Sequence, residues 1–177
     1  HEGNKHGNVS KHVELHFGDV DAALAAAAHV VEDDYAFHGT AHAPIEPHCA
    51  VARWSGDGVL TLWSSTQIPH YVHRTLARVL ELPAHRIRVI QPYLGGAFGG
   101  KSDPFGHELC AARLAMKANR PVKFLLNREE TFYTHRGRHP MEMRFRTGCD
   151  DQGMITAVDS RILIDGGSYS SFGLVTT

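Results

Sequence analysis

The sequence has no excess of charge of either sign. Eighteen Lys and Arg residues stand against nineteen Asp and Glu, for a formal net charge of −1. Such a balance leaves no electrostatic footprint for nucleic acid or for an anionic membrane. Long apolar runs are also missing: the softest stretch, residues 22–28, is mostly alanine and far short of the roughly 20 residues a spanning helix needs. No signal-peptide pattern opens the chain. Cysteine is scarce, with Cys49, Cys110 and Cys149 far apart and no CxxC pair. Neither a zinc site nor a disulfide framework follows from that spacing, and reduced thiols in a cytoplasmic protein are the expectation.

What is present is an ordinary globular composition, 42% hydrophobic and 21% charged over 177 residues, enough for one substantial core or two small ones. Histidine is plentiful, at 14 residues, but scattered. His1 and His6 fall in a polar start, HEGNKHGN, that reads as a flexible end. The missing initial Met and the stop at Thr176-Thr177 make both ends look cut, so a fragment of a larger protein is expected.

Asp19 is a good N-cap for a short helix over 20–31. Residues 32–39 and 48–54 alternate as strands do, and Asp57-Gly58 signals a hairpin into the β-rich run 59–63. From Pro69 the period changes, with Val72, Leu76, Val79 and Leu80 on one helical face before Pro83. A strand at 87–90 feeds a glycine loop. A second helix is expected after Pro104, with Leu109, Ala112, Ala115 and Met116 inward and Asn119 closing it, then a strand at 122–126. A helical turn at 129–133, a strand at 141–146, a turn at 150–153 and a long strand at 155–164 complete the reading. The sum is α+β, mixed sheets with packed helices, and not a regular βαβ repeat. Residues 1–40 read as a linker segment and the start of a domain, and 41–177 as the domain that carries the glycine loop.

That loop, from Gly95 to Ser102, reads GGAFGGKS and satisfies the phosphate-binding pattern G-x-x-x-x-G-K-[ST] between a strand and a helix. Residues 162–165, ending in Asp165, fit an acidic magnesium strand. A P-loop nucleotide hydrolase is therefore one reading. Against it, Asp103-Pro104 places a carboxylate where phosphates would sit, and Phe98 puts a bulky ring where backbone should wrap them. A noncatalytic α+β interaction module is a third possibility, its glycines making only tight turns.

Two further segments combine with the loop: Ser65-Thr66-Gln67 before it and Gly137-Arg138-His139-Pro140 after it. The trio, in this order and spacing, resembles the molybdopterin-binding subunit of the xanthine dehydrogenase and aldehyde oxidase family. His42-Ala43-Pro44-Ile45-Glu46-Pro47-His48 looks like that family's segment joining its first domain to the cofactor domain. The resemblance runs from about Val13 to the end and places the chain in part of the molybdenum cofactor-binding domain.

It implies a molybdenum-dependent oxidoreductase whose metal is held by pterin dithiolene sulfurs, the protein supplying backbone and side-chain donors around it. By resemblance, Ala97, Phe98 and Gly99 line the molybdenum, and the Gly99 N–H and the Gln67 amide donate toward its oxygen ligand. Arg138 and His139 read equally as loop pins and as cofactor or substrate contacts, Lys101 equally as a solvated cation, and Glu46 and His48 as structural. Xanthine dehydrogenases carry an acidic residue after the loop lysine, where this chain has Ser102; this candidate substrate contact argues against xanthine. The runs Ser102-Asp103-Pro104-Phe105, Pro69-His70-Tyr71-Val72-His73-Arg74 and His135-Arg136-Gly137-Arg138-His139-Pro140 look most like the large subunit of 4-hydroxybenzoyl-CoA reductase. That likeness implies reductive dehydroxylation of a small aromatic coenzyme A thioester. It also implies a cytosine dinucleotide form of molybdopterin, with iron–sulfur clusters and FAD on partner subunits. The family's catalytic base lies nearer the far end of the subunit and is expected outside this fragment, which alone is expected neither to turn over substrate nor to hold cofactor tightly.

Overall fold

The structure is a computed structural model that describes residues 7–134 and 136–167. The readings placed on His1, His6, His135 and Thr176-Thr177 lie outside the described residues. The chain forms two compact units, one drawn from His1–Thr40 with Arg138–Thr177, the other Ala41–Gly137.

In the first unit Asp19 caps helix α1, Val20–Ala26, its Oδ1 accepting from Ala22 N–H at 3.0 Å. The helix expected to reach residue 31 stops here. Ala27 turns extended and the Ala28 N–H donates to Cys149 O at 2.9 Å. The chain is thereby captured into β1, His29–Phe37, so a tertiary ladder overrides alanine's helical preference. Antiparallel β1, β6 (Met141–Cys149) and β7 (Ile155–Ile164) make a three-stranded sheet. Leu24 lies buried against it. A Cβ added to Gly148 would meet Ala27 Cβ at 2.9 Å and Leu24 Cδ2 at 3.3 Å, so the absence of a side chain there lets α1 lie close.

The second unit carries a four-stranded sheet in the order β4-β3-β2-β5, formed by Ile87–Ile90, Leu60–Ser64, Cys49–Trp54 and Val122–Leu125. Only β3 and β4 pair in parallel. Gly58, at φ 80°, closes the β2–β3 hairpin where Asp57-Gly58 predicts it. Helix α2, Pro69–Val79, and helix α3, Gly106–Ala118, bury Val72, Leu76, Ala111, Ala112 and Ala115 against Ala50, Ala52, Leu60 and Leu62. Val79, expected inward, is 53% exposed, because the helix ends there and Glu81 adopts a left-handed turn. Asn119 closes α3 at φ 50°, and α4 spans Arg128–Thr134. The α+β class with mixed sheets and packed helices is what the structure has.

The consequence for the site is topological. β3 runs directly into Ser65-Thr66-Gln67 and its parallel neighbour β4 runs toward the glycine loop. Parallel neighbours end on the same side of a sheet, so the two segments emerge together.

Candidate functional site

The Ser65-Thr66-Gln67 corner is anchored before it carries any function. Ser64, Ser65 and Thr66 are all buried. Ser65 Oγ accepts from Cys49 N–H at 2.9 Å, and Ser65 N–H donates to Cys49 O at 2.9 Å. Thr66 Oγ1 donates to Lys101 O at 3.4 Å and accepts from Ile68 N–H at 3.2 Å. Gln67 follows, and it is exposed.

Gln67 meets the glycine loop with its side-chain oxygen. Oε1 accepts from Gly99 N–H at 3.2 Å, Lys101 N–H at 3.3 Å and Ser102 Oγ at 3.0 Å. Two of those donors are backbone amides, so the oxygen must face the loop and the amide nitrogen must face away. Among the described residues none takes a hydrogen bond from Gln67 Nε2. The Gly99 N–H, expected to face a metal ligand, is thus already given to Gln67. The amide that stays available is Gln67's own.

The loop itself is tight. Gly100 N–H donates to Ala97 O at 2.8 Å and Ser102 N–H to Gly99 O at 3.3 Å. Gly96 and Gly99 take φ of 96° and 88°, values open to glycine at little cost. Phe98 also sits at φ 54°, where a side chain crowds its own carbonyl, yet its ring is 71% exposed. The strain thus falls on an exposed aromatic and not on a core residue. Ala97 is buried, Ser102 half-buried.

Lys101 is not a solvated cation. Its side chain is fully buried, with Nζ 2.5 Å from Glu46 Oε2. The same oxygen accepts from Gly95 N–H at 3.0 Å, and Glu46 N–H donates to Gly95 O at 3.1 Å. His48, buried too, places Nε2 3.1 Å from Gly100 O. This geometry removes the P-loop reading. The loop amides at 95, 99, 100, 101 and 102 are spent on protein acceptors, the lysine points into a carboxylate, and α3 does not begin until Gly106. A phosphate cradle needs those groups free.

Residues that the sequence did not mark support the loop's exit. Glu108, 1% exposed, accepts from Ser64 Oγ at 2.5 Å and from Phe105 N–H at 2.9 Å. Burial raises its carboxyl above the usual range, and the two hydrogen bonds partly offset that. It ties the end of β3 to the start of α3. The one available signal was its place at the third position of α3, where a glutamate reaches back to cap. His107, buried beside it, is pushed down to about 4, by burial first and by His48 and Lys101 after that. Asp103 pairs with Arg136 at 2.9 Å. Of the second motif, Arg138 N–H donates to Thr40 O at 2.7 Å within the other unit, so its backbone pins a bridge there.

A molybdenum–pterin group suits these residues. An uncommitted carboxamide donor, an exposed strained aromatic and a glycine-rich backbone can approach a large ligand closely. Among the described residues there is no group of three or more His, Cys, Asp or Glu that could hold a bare metal ion.

Comparison with known proteins agrees. The nicotinate dehydrogenase large molybdopterin subunit of Eubacterium barkeri is 40% identical over 170 residues, covering 95% of this chain and 40% of that protein. An aldehyde oxidoreductase from Desulfovibrio gigas superposes with a TM-score of 0.79 at 30% identity, over 89% of this chain and 17% of that one. Quinoline 2-oxidoreductase from Pseudomonas putida 86 gives 0.76 at 29% identity, over 85% of this chain and 19% of that one. The chain therefore spans less than half the length of these relatives. Residues 1–177 match the molybdopterin cofactor-binding domain as a family, and to that family the chain belongs.

Proposed function

We propose that this chain forms one wall of the pocket of a molybdenum–pterin oxidoreductase acting on a small aromatic substrate. The observation that carries the reading is the orientation of Gln67, whose oxygen is held by three loop donors and whose amide nitrogen is left available. When bound, the pterin-held molybdenum supplies two-electron oxidation or reduction coupled to oxygen transfer.

The protein's part is positioning and polarity. Gln67 Nε2 would offer the bound group a neutral donor, which favours no single charge state there. Ala97, Phe98 and Gly99 present a close-set backbone and an exposed ring, which shape the approach and exclude water. Ser102, half-buried beside Gln67, is the candidate substrate contact. Among the described residues none is assigned the role of base, and the iron–sulfur and flavin groups are assigned to partner subunits. The cofactor is taken as the cytosine dinucleotide form. The free thiols of Cys49, Cys110 and Cys149 support a reducing, cytoplasmic setting.

For the substrate, the runs around Ser102, Pro69 and Arg136 favour a 4-hydroxybenzoyl-CoA reductase-like reductive dehydroxylation. A second reading, hydroxylation of a nitrogen heteroaromatic, is favoured by the 40% identity to a nicotinate dehydrogenase subunit. Producing the complete subunit with its partners and measuring molybdenum and pterin tests the main reading: near-stoichiometric content is expected, and a metal-free, pterin-free enzyme would end it. Assays with aromatic coenzyme A thioesters, nicotinate, aldehydes and purines then separate the substrates.

A further inference from the structure

Lys101 completes the glycine motif, yet its side chain has no exposure at all and its ammonium is turned to Glu46. Burying a lysine charge is costly unless it is matched. Glu46, whose side chain is 30% exposed, supplies the match at 2.5 Å. A hydrophobic pair would fill the same space. What a carboxylate adds is a second acceptance: Glu46 Oε2 also takes the Gly95 N–H at 3.0 Å. A Cβ on Gly95 would come within 2.6 Å of Glu46 Cβ, so the missing side chain at Gly95 lets the Glu46 side chain lie against the loop. One carboxylate thus fastens the first glycine and the lysine of the loop together.

The backbone of Lys101 extends the connection. Its carbonyl accepts from Gln67 N–H at 2.9 Å and Thr66 Oγ1 at 3.4 Å, and its N–H donates to Gln67 Oε1 at 3.3 Å. A continuous run of hydrogen bonds leads from Glu46 through Lys101 to the Gln67 carboxamide. We propose that Glu46 and Lys101 are positioning residues whose ion pair fixes the loop so that the Gln67 amide is held outward, ready for the cofactor's oxygen, before the cofactor arrives. The inference rests on the molybdenum–pterin reading of the pocket.

The test compares Glu46→Gln, Lys101→Met and the double variant Glu46→Leu/Lys101→Met. Each single change leaves an uncompensated charge and risks the fold. The double change removes both charges, and apolar replacement of a buried pair commonly preserves stability. Amide hydrogen exchange is read in the complete subunit. In the double variant, exchange at Gly95, Gly99 and Lys101 is expected to accelerate by about tenfold or more while the amides of β2 and β3 keep their protection. Unchanged exchange at Gly99 and Lys101 in the folded double variant overturns the proposal, whatever the metal content.

In the complete enzyme the same variant is expected to lower kcat by about tenfold with KM little changed. Molybdenum content is expected to stay near wild type, with an altered paramagnetic resonance signal of the metal. A normal signal and normal kcat in a variant with a loosened loop also overturn it. If the wild-type complete subunit carries no molybdenum, the reading of the pocket fails along with the proposal. The exchange data show separately whether the tie exists.

Discussion

Gln67 and Lys101 bond to each other twice, the Gln67 N–H to the Lys101 carbonyl at 2.9 Å and the Lys101 N–H to Gln67 Oε1 at 3.3 Å. The pair separates two roles that a carboxamide combines, acceptor toward the loop and donor away from it.

Gln67→Glu therefore gives a sharper experiment than removal of the side chain. The carboxylate keeps both the acceptor and the shape, so loop exchange and unfolding midpoint are expected to stay as in the wild type. The outward donor is lost and a negative charge takes its place. Turnover of the complete enzyme should fall by about 10²-fold, the scale seen when one preorganised donor is removed. Equal turnover would take Gln67 out of the site.

His107 should make the fold acid-sensitive. Its folded value, about 4, lies below the ordinary 6.5 because burial disfavours the cation. As pH falls below 6.5 the unfolded chain takes up a proton that the folded chain refuses, so stability declines until about pH 4 and then levels off. The full loss is about 3 kcal/mol. Glu108 works in the other sense: its raised carboxyl favours the folded state at low pH, a contribution lost as pH rises through that raised value. Denaturant unfolding of His107→Leu across pH 4 to 7 should show a flatter profile than wild type. Parallel profiles would mean that His107 is not the sensor.

Phe98→Gly is expected to leave the chain as stable as wild type or more so. The substitution relieves a left-handed conformation that costs roughly 1–2 kcal/mol and discards a ring that is mostly in solvent. In the complete enzyme it should raise KM. A clear fall in the thermal midpoint would show that the ring packs.

Gly148→Ala tests the other unit. The new methyl would lie 2.9 Å from Ala27 Cβ and cannot be accommodated without moving α1. A loss of about 1–3 kcal/mol is expected, the usual range for overpacking. A neutral result would show that α1 rides loosely on its sheet.

Much of this was legible in the chain. Strand β4, the start of α2 at Pro69, the stop of α3 at Asn119 and the Asp57-Gly58 hairpin follow from local chemistry, because each depends on neighbours in sequence. The joint presence of Gln67 with Gly99 was legible only through family resemblance. The fate of Lys101 was not legible at all, since its partner lies 55 positions away and no periodicity links the two. The overlong first helix failed for the same reason: alanine propensity is local, and the ladder that ends it at Cys149 is not.

The parallel pairing of β3 with β4 bears on the order in which the molecule assembles. The β2–β3 hairpin and the helices are built from near neighbours and can form early. The β2–β5 ladder, with Cys49 opposite Leu125, and the Glu46–Gly95 and Glu46–Lys101 contacts each close a long stretch of chain. Loop closure of that length is met before its contacts repay it. The pocket wall is consequently expected to be among the last features to take shape, so that a chain with its helices in place can still lack a competent Gln67.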